Sequence, residues 1–311
     1  MTNPKPASIQ PVSGAPLRPD VKPSKKAAGG DDTSPIDASN AWSRWIVFVG
    51  LVALGMTFVV PFVWQVLISL TENPSEVDTL TRTGMPPSLE PSNYLKVFQR
   101  VEFGKYFFNS MFVAGWATVL QVITCSMAAY AFSRIKWPGR DKVFLMYLGT
   151  LMVPGVVLMV PNFAIVLGLG MFNDYTGLII PAAFSAYGTF LLRQFMLTVP
   201  TSLDEAASID GAGHWRIFSE IILPMARPGI IVLAIFAFLF NYNSFFWPLI
   251  LTKDDNLRTL PLGLLQFDST YGPETNLIMA ASLMAMLPPI ILFIVLQKYL
   301  VKGIQLGAVK G

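Results

Sequence analysis

The chain has 311 residues, 53% of them hydrophobic and only 13% charged, with a mean hydropathy of +0.54. Soluble domains carry about a quarter charged residues, so composition excludes an ordinary soluble domain and indicates an integral membrane protein. One cysteine, Cys125, rules out an internal disulfide framework, and one histidine, His214, leaves little for a His/Cys metal site.

Residues 1–41 are rich in Pro, Ala, Ser, Lys and Asp and nearly free of aromatics. Such a segment buries too little apolar surface to fold, and a disordered cytoplasmic tail is expected. A secretory signal is not expected. The first apolar run starts only at Trp45, is too long, and has no obvious small-residue cleavage site after it.

Six apolar runs follow, at 45–70, 107–132, 143–167, 175–192, 230–251 and 277–297. Roughly 20 apolar residues cross the ~30 Å hydrocarbon core as a helix, and lipid leaves no water for unpaired backbone groups. The runs therefore predict an all-α integral membrane protein with six transmembrane helices. Pro61, Pro154, Pro161, Pro181, Pro248 and the pair Pro288–Pro289 predict kinks packed against neighbours.

With the N-terminus inside, sixteen of the 22 Lys and Arg fall on the tail, the 133–142 and 193–229 loops and the C-terminus. Six fall on the opposite side. This bias predicts that both termini and the 193–229 loop are cytoplasmic. It also accounts for the net charge of +3 without a nucleic-acid partner. The six runs contain no Asp, Glu, Lys or Arg. Intramembrane charges mark proton relays and ion pathways, so their absence argues against a proton- or sodium-coupled carrier and against a site for a charged solute.

The polar stretch 205–224 lies between two long apolar runs. Ser202 and Glu205 fit a capping box opening a helix at Leu203. Leu203, Ala206, Ala207 and Asp210 then share a face, on which two alanines allow close approach by another surface. Gly211 can end the helix in the left-handed region, and Gly213 loosens the turn. A second helix over about 215–222 puts Trp215, Phe218 and Ile222 on one side and the Arg216–Glu220 pair on another. Pro224 and Pro228 stop it before the next span. These features fit an ordinary amphipathic loop as well as a docking element.

The stretch Glu205-Ala206-Ala207-Ser208-Ile209-Asp210-Gly211-Ala212, followed by Leu223-Pro224, resembles the EAA signature of permease subunits in binding-protein-dependent ABC importers. Residues 128–139 (AAYAFSRIKWPG), 190–195 (FLLRQF), 247–250 (WPLI) and the C-terminal 307–311 are similar to the carbohydrate-uptake branch, the MalG type of the maltose importer. The resemblance runs from about 45 to 311, with the type I permease domain at about 105–300. It implies that the 200–224 loop is a coupling helix seated on an ATPase subunit. Glu205 and Asp210 would face that subunit, Ala206 and Ala207 would permit close packing, and Gly211 would make the turn. It implies a homologous second permease, an ABC ATPase dimer that holds ATP and magnesium, and an extracytoplasmic solute-binding protein at a bacterial inner membrane. The stretch Asn241-Tyr242-Asn243-Ser244 departs from the Trp-Asn-type segment expected in the fifth span.

Gln121, Asn162, Ser185, Tyr187, Asn241 and Asn243 are polar residues inside apolar runs. They read either as interhelical hydrogen-bond formers or as a path for sugar hydroxyls, with the Asn241-Tyr242-Asn243 cluster the best placed for the latter. His214 reads as a surface residue and Cys125 as a small packing residue. No Gly-x-x-x-x-Gly-Lys-Ser/Thr run occurs, so the chain is not its own ATPase and needs no cofactor of its own. The expected function is that of an importer permease for a carbohydrate. An ATP-independent facilitator for a neutral polar solute and a polytopic membrane enzyme are the alternatives. The latter lacks any His/Asp/Glu cluster.

Overall fold

The computed structural model describes residues 41–269 and 272–308. The expected tail lies outside them, except for Ala41, which opens the first helix. The chain divides into two units, Met1–Thr57 and Phe58–Gly311. The described part of the first belongs to helix α1 (Ala41–Ser69), whose large apolar side chains from Trp42 to Met56 are exposed. That is the pattern of a helix solvated by lipid.

The second unit is helical apart from a two-residue antiparallel ribbon, Asp268–Ser269 with Gly272–Pro273. Short helices α2 (Glu76–Thr83) and α3 (Asn93–Arg100) precede α4 (Phe103–Ser133). Helix α4 organises the bundle. Its buried Ser110, Ala114, Ala117, Gln121, Cys125 and Ala129 follow a spacing of three to four residues, a single helical face. Small side chains on that face let α4 pack closely against α8 (Ala186–Leu197) and α12 (Arg227–Tyr242), and α12 packs in turn on α15 (Thr275–Ala308). Buried Asn93 donates to the carbonyls of Ser69 and Thr71 at 3.0 and 2.7 Å, tying α3 to the end of α1.

Among the described residues three helices are long and apolar enough to span a bilayer: Arg44–Ser69, Phe103–Ser133 and Thr275–Lys298. Three further apolar stretches are pairs of helices bent at a short break, the last of them joining the 214–225 segment to the start of the fifth run. Arg140–Met152 meets Gly155–Gly168 at 102°, Tyr175–Ala183 meets Ala186–Leu197 at 42°, and His214–Met225 meets Arg227–Tyr242 at 77°. The third run is thus α5 (Arg140–Gly149), a 3₁₀ turn and α6 (Gly155–Gly168). Its break falls at Val153, extended at φ −85°, ψ 120°, because the residue before a proline is pushed out of the helical region. The fourth is α7 (Tyr175–Ile179), a 3₁₀ turn from Pro181, and α8. Ser185 caps α8, its Oγ accepting from the Gly188 N–H at 3.0 Å.

The fifth run is not one helix. Helix α12 ends at Tyr242, and the chain restarts as α13 (Phe246–Leu251). Pro248 lacks an N–H, and in a continuous helix its ring would clash with the carbonyl of Ser244. The short α14 (Leu260–Gly263) and a 3₁₀ turn lead into α15.

Candidate functional site

The 200–226 segment is built from α9 (Ser202–Ile209), α10 (His214–Arg216), a π-helical stretch (Ile217–Ile222) and α11 (Leu223–Met225). The expected capping box does not form. Thr201 is already helical at φ −69°, ψ −21°, Ser202 is the first helical residue, and no side chain caps the end. A longer-range contact replaces it. Asp204, in the first turn, pairs with Arg134 at 3.1 Å.

Arg134 closes α4 and its side chain is 4% exposed. It also donates to the Met196 and Val199 carbonyls, the second at 2.7 Å. One guanidinium fork thus joins the end of α4, the end of α8 and the start of α9. Sequence reasoning counted Arg134 only as a loop charge. Its signal, an arginine closing an apolar run, was present, but its partner lies 70 residues away.

Gly211 ends α9 as expected, at φ +82°. Its N–H donates to Ser208 O at 3.1 Å and the Ala212 N–H to Ala207 O at 2.9 Å, the paired bonds of a Schellman cap. Ala207 and Ala212 pack against the buried cluster of Tyr130, Met196, Ile217, Phe218 and Ile222. Ala206 does not share that side. It is exposed, together with Glu205, Asp210 and Ile209, the last 87% exposed. Ala206 and Ala207 are consecutive, about 100° apart around the helix, so one alanine faces the body and the other faces out.

The second helix also differs from expectation. Phe218 and Ile222 are buried, but Ile217 joins them while Trp215 is 69% exposed. The stretch widens to a π-helix just before Pro224, which can neither donate to the turn before it nor fit its ring against a regular i−4 carbonyl. Leu223 packs partly against the same cluster. Pro224 does not stop the helix; it lies inside α11, and Pro228 lies in the first turn of α12. The chain turns instead at Ala226, φ −82°, ψ 2°. The Arg216–Glu220 pair forms at 2.9 Å, and the hydrogen bond and charge of Glu220 hold the Arg216 guanidinium above its ordinary pKa. His214 Nδ1 lies 3.3 Å from the Tyr130 hydroxyl, whose ring packs on Phe218.

The polar residues weighed for a solute path are not brought together. Asn241 and Asn243 turn their amide nitrogens back to the i−4 carbonyls of Ala237 and Leu239 at 2.8 and 2.9 Å. Tyr242 is buried and donates to the Ala285 carbonyl at 2.9 Å, fastening α12 to α15. Tyr242 and Asn243 line a cleft of about 390 Å³ with Ser282, Leu260, Met286 and Pro289. Gln121 lies on the buried face of α4, and Asn162 is exposed on α6; neither lines this cleft. Ser282 of the last apolar run is not among the residues weighed, and only the packing of α12 on α15 sets it beside Asn243.

The family model described as "Binding-protein-dependent transport system inner membrane component" matches residues 38–306. The arabinooligosaccharides transport system permease protein AraQ of Halalkalibacterium halodurans is 33% identical over 287 residues, 90% of this chain and 99% of that protein. The sn-glycerol-3-phosphate transport system permease protein UgpE of Yersinia enterocolitica is 35% identical over 204 residues, 65% of this chain and 73% of that one. Among solved structures, a chain of a bacterial ABC transporter involved in the import of the acidic polysaccharide alginate superposes with a TM-score of 0.73 at 23% identity, over 84% of this chain and 98% of that chain. The fold is shared.

Proposed function

The chain belongs to the binding-protein-dependent transport system inner membrane components, and from that premise we propose that it is the membrane-spanning permease of an ATP-driven importer for a carbohydrate. The observation that carries this reading is the 200–226 element. Its outer face presents Glu205, Ala206, Ile209 and Asp210, all exposed, and its inner face is fastened to α4 and α8 through Arg134 and to the buried cluster through Ala207 and Phe218. A partner closing on the outer face displaces α9, and Arg134 passes that displacement to the end of α4. The π-helical stretch leads through Ala226 into α12, whose far end carries Asn243 at the cleft.

The partners are a homologous second permease, an ATPase dimer that binds ATP and magnesium, and a solute-binding protein on the opposite side of the membrane. Glu205 and Asp210 face the ATPase, Ala206 permits its close approach, and Gly211 holds the turn. Leu223 and Pro224 shape the exit toward α12. The chain itself makes or breaks no bond. The cleft offers amide and hydroxyl oxygens from Asn243 and Ser282 with no charged group, chemistry suited to a neutral polyhydroxylated solute. The relative named for arabinooligosaccharides supports that class.

The test is uptake of radiolabelled oligosaccharides into sealed vesicles holding the complete complex, with binding protein outside and ATP supplied inside or withheld. The expected result is uptake only with internal ATP. Equal uptake without ATP would make the protein a facilitator and overturn the importer reading.

A further inference from the structure

The turn between α4 and α5 carries a feature that belongs neither to the 200–226 element nor to the cleft. A recess of about 450 Å³ is lined by Lys136, Trp137, Gly139, Arg140, Asp141 and Lys142. Its single carboxylate is already matched. Asp141 accepts from Arg140 Nε at 3.1 Å and pairs with Arg193 at 3.5 Å. Lys136 and Lys142 are exposed and have no acidic partner among the described residues. The recess therefore holds uncompensated positive charge.

Its surroundings are those of a membrane interface. Trp137 is half-buried, with its ring centroid 6.1 Å from that of Phe132, and tryptophan favours the headgroup level. Directly along α5, Leu145 and Met146 are 70% and 68% exposed, an apolar strip continuous with the basic turn. Arg134, two residues before Lys136, holds Asp204, so the turn lies at the same end of α4 as α9. A free polar anion would gain nothing from the apolar strip, whereas a lipid uses both parts.

We propose that this turn binds an anionic phospholipid, its phosphodiester held by Lys136, Arg140 and Lys142 and its acyl chain lying along Leu145 and Met146. Basic groups near an anionic bilayer surface each contribute binding, and a phosphodiester accepts from several donors at once. The proposal needs the chain to lie in a bilayer but does not depend on what it transports.

The test uses the full chain, purified in detergent and titrated with phosphatidylglycerol or phosphatidylcholine, with bound lipid counted by native mass spectrometry. The expected result is preferential retention of phosphatidylglycerol. Lys136→Gln/Lys142→Gln should weaken it on the order of 5-fold per lysine removed, roughly 25-fold for the pair. Lys136→Arg/Lys142→Arg should retain it, as should Lys253→Gln at the other end of the bundle. Size-exclusion profiles confirm that each variant is folded. Should the glutamine pair fail to fold, loss of phosphatidylglycerol selectivity in the folded arginine pair would overturn the proposal. Equal retention of the two lipids by wild type would also overturn it, as would unchanged retention by the glutamine pair. Inorganic phosphate that binds wild type as strongly as the lipid and displaces it would make the recess a soluble-anion site instead.

Discussion

Arg134 is the residue whose replacement should be felt furthest from its own position. A buried guanidinium that serves one carboxylate and two backbone carbonyls leaves the Asp204 carboxylate and the Val199 carbonyl without that partner when it is removed, while the Met196 carbonyl keeps the Val199 N–H at 3.2 Å. Arg134→Met should cost about 2–3 kcal/mol, since an acceptor stranded away from water forfeits its hydration without replacement. Arg134→Lys should recover only part, because an ammonium lacks the planar fork that reaches all three. Thermal unfolding followed by tryptophan fluorescence checks both, and an unchanged Tm for the methionine variant would show that the network contributes nothing. Gly211 makes the complementary case. At φ +82° a β-branched residue is strained by about 1–2 kcal/mol, yet a Cβ there would meet nothing within 4 Å. The effect of Gly211→Val is therefore a backbone effect alone. That variant should insert normally but retain the ATPase poorly or leave hydrolysis uncoupled, whereas Gly211→Asn, which tolerates the left-handed region, should behave nearly as wild type. Equal loss in both would mean that the docking surface has no room for any side chain at this position.

At the scale of elements, helix contact is set by where side chains are missing. A Cβ on Gly229 of α12 would lie 2.5 Å from the Cγ of Phe195 on α8, an atom too near the backbone to swing aside. Gly229→Ala should push the two helices apart and cost about 1–3 kcal/mol. Gly104→Ala, in open space at the start of α4, should be neutral or slightly stabilising, since alanine is the better helix former. A melt of each variant separates the two outcomes. The elements themselves were largely legible, because a hydrophobic run long enough to cross lipid has only one backbone solution. Break points were partly legible from Pro154 and Pro181, but the angles of 102° and 42° were not. A proline fixes where hydrogen bonding fails, while packing decides how far the chain then turns. The start of α9 was misread for a related reason. Ser202 and Glu205 carry a local capping pattern, and a contact with Arg134, 70 residues away in sequence, outweighed it. Of the candidate site, the Gly211 turn was legible because a left-handed residue leaves a compositional mark. The role of Tyr242 was not, because its hydroxyl bonds to a backbone carbonyl, which no sequence pattern announces.

For the whole molecule, the two ends of α4 hold different loops. At its N-terminal end Asn109 donates to the carbonyls of Asn256 and Arg258 at 2.8 and 2.9 Å. At its C-terminal end Arg134 holds Asp204 at 3.1 Å. A helix of 31 residues is about 46 Å long, more than the ~30 Å hydrocarbon core, and if α4 spans the bilayer the Arg258 loop and α9 are expected on opposite faces. The excess of Lys and Arg on the α9 side predicts that this side is cytoplasmic. In a Cys125→Ala background, cysteines placed at Arg82 and Arg258 should react with a membrane-impermeant maleimide in intact cells. Those placed at Arg140 and Arg216 should react only after permeabilisation. The pairing of sites matters, because labelling at all four positions would report leaky cells rather than topology. Labelling of position 216 but not 258 in intact cells would invert the chain. It would set α9 on the face where no ATP is available, and the coupling role of Glu205 and Asp210 would fall with it.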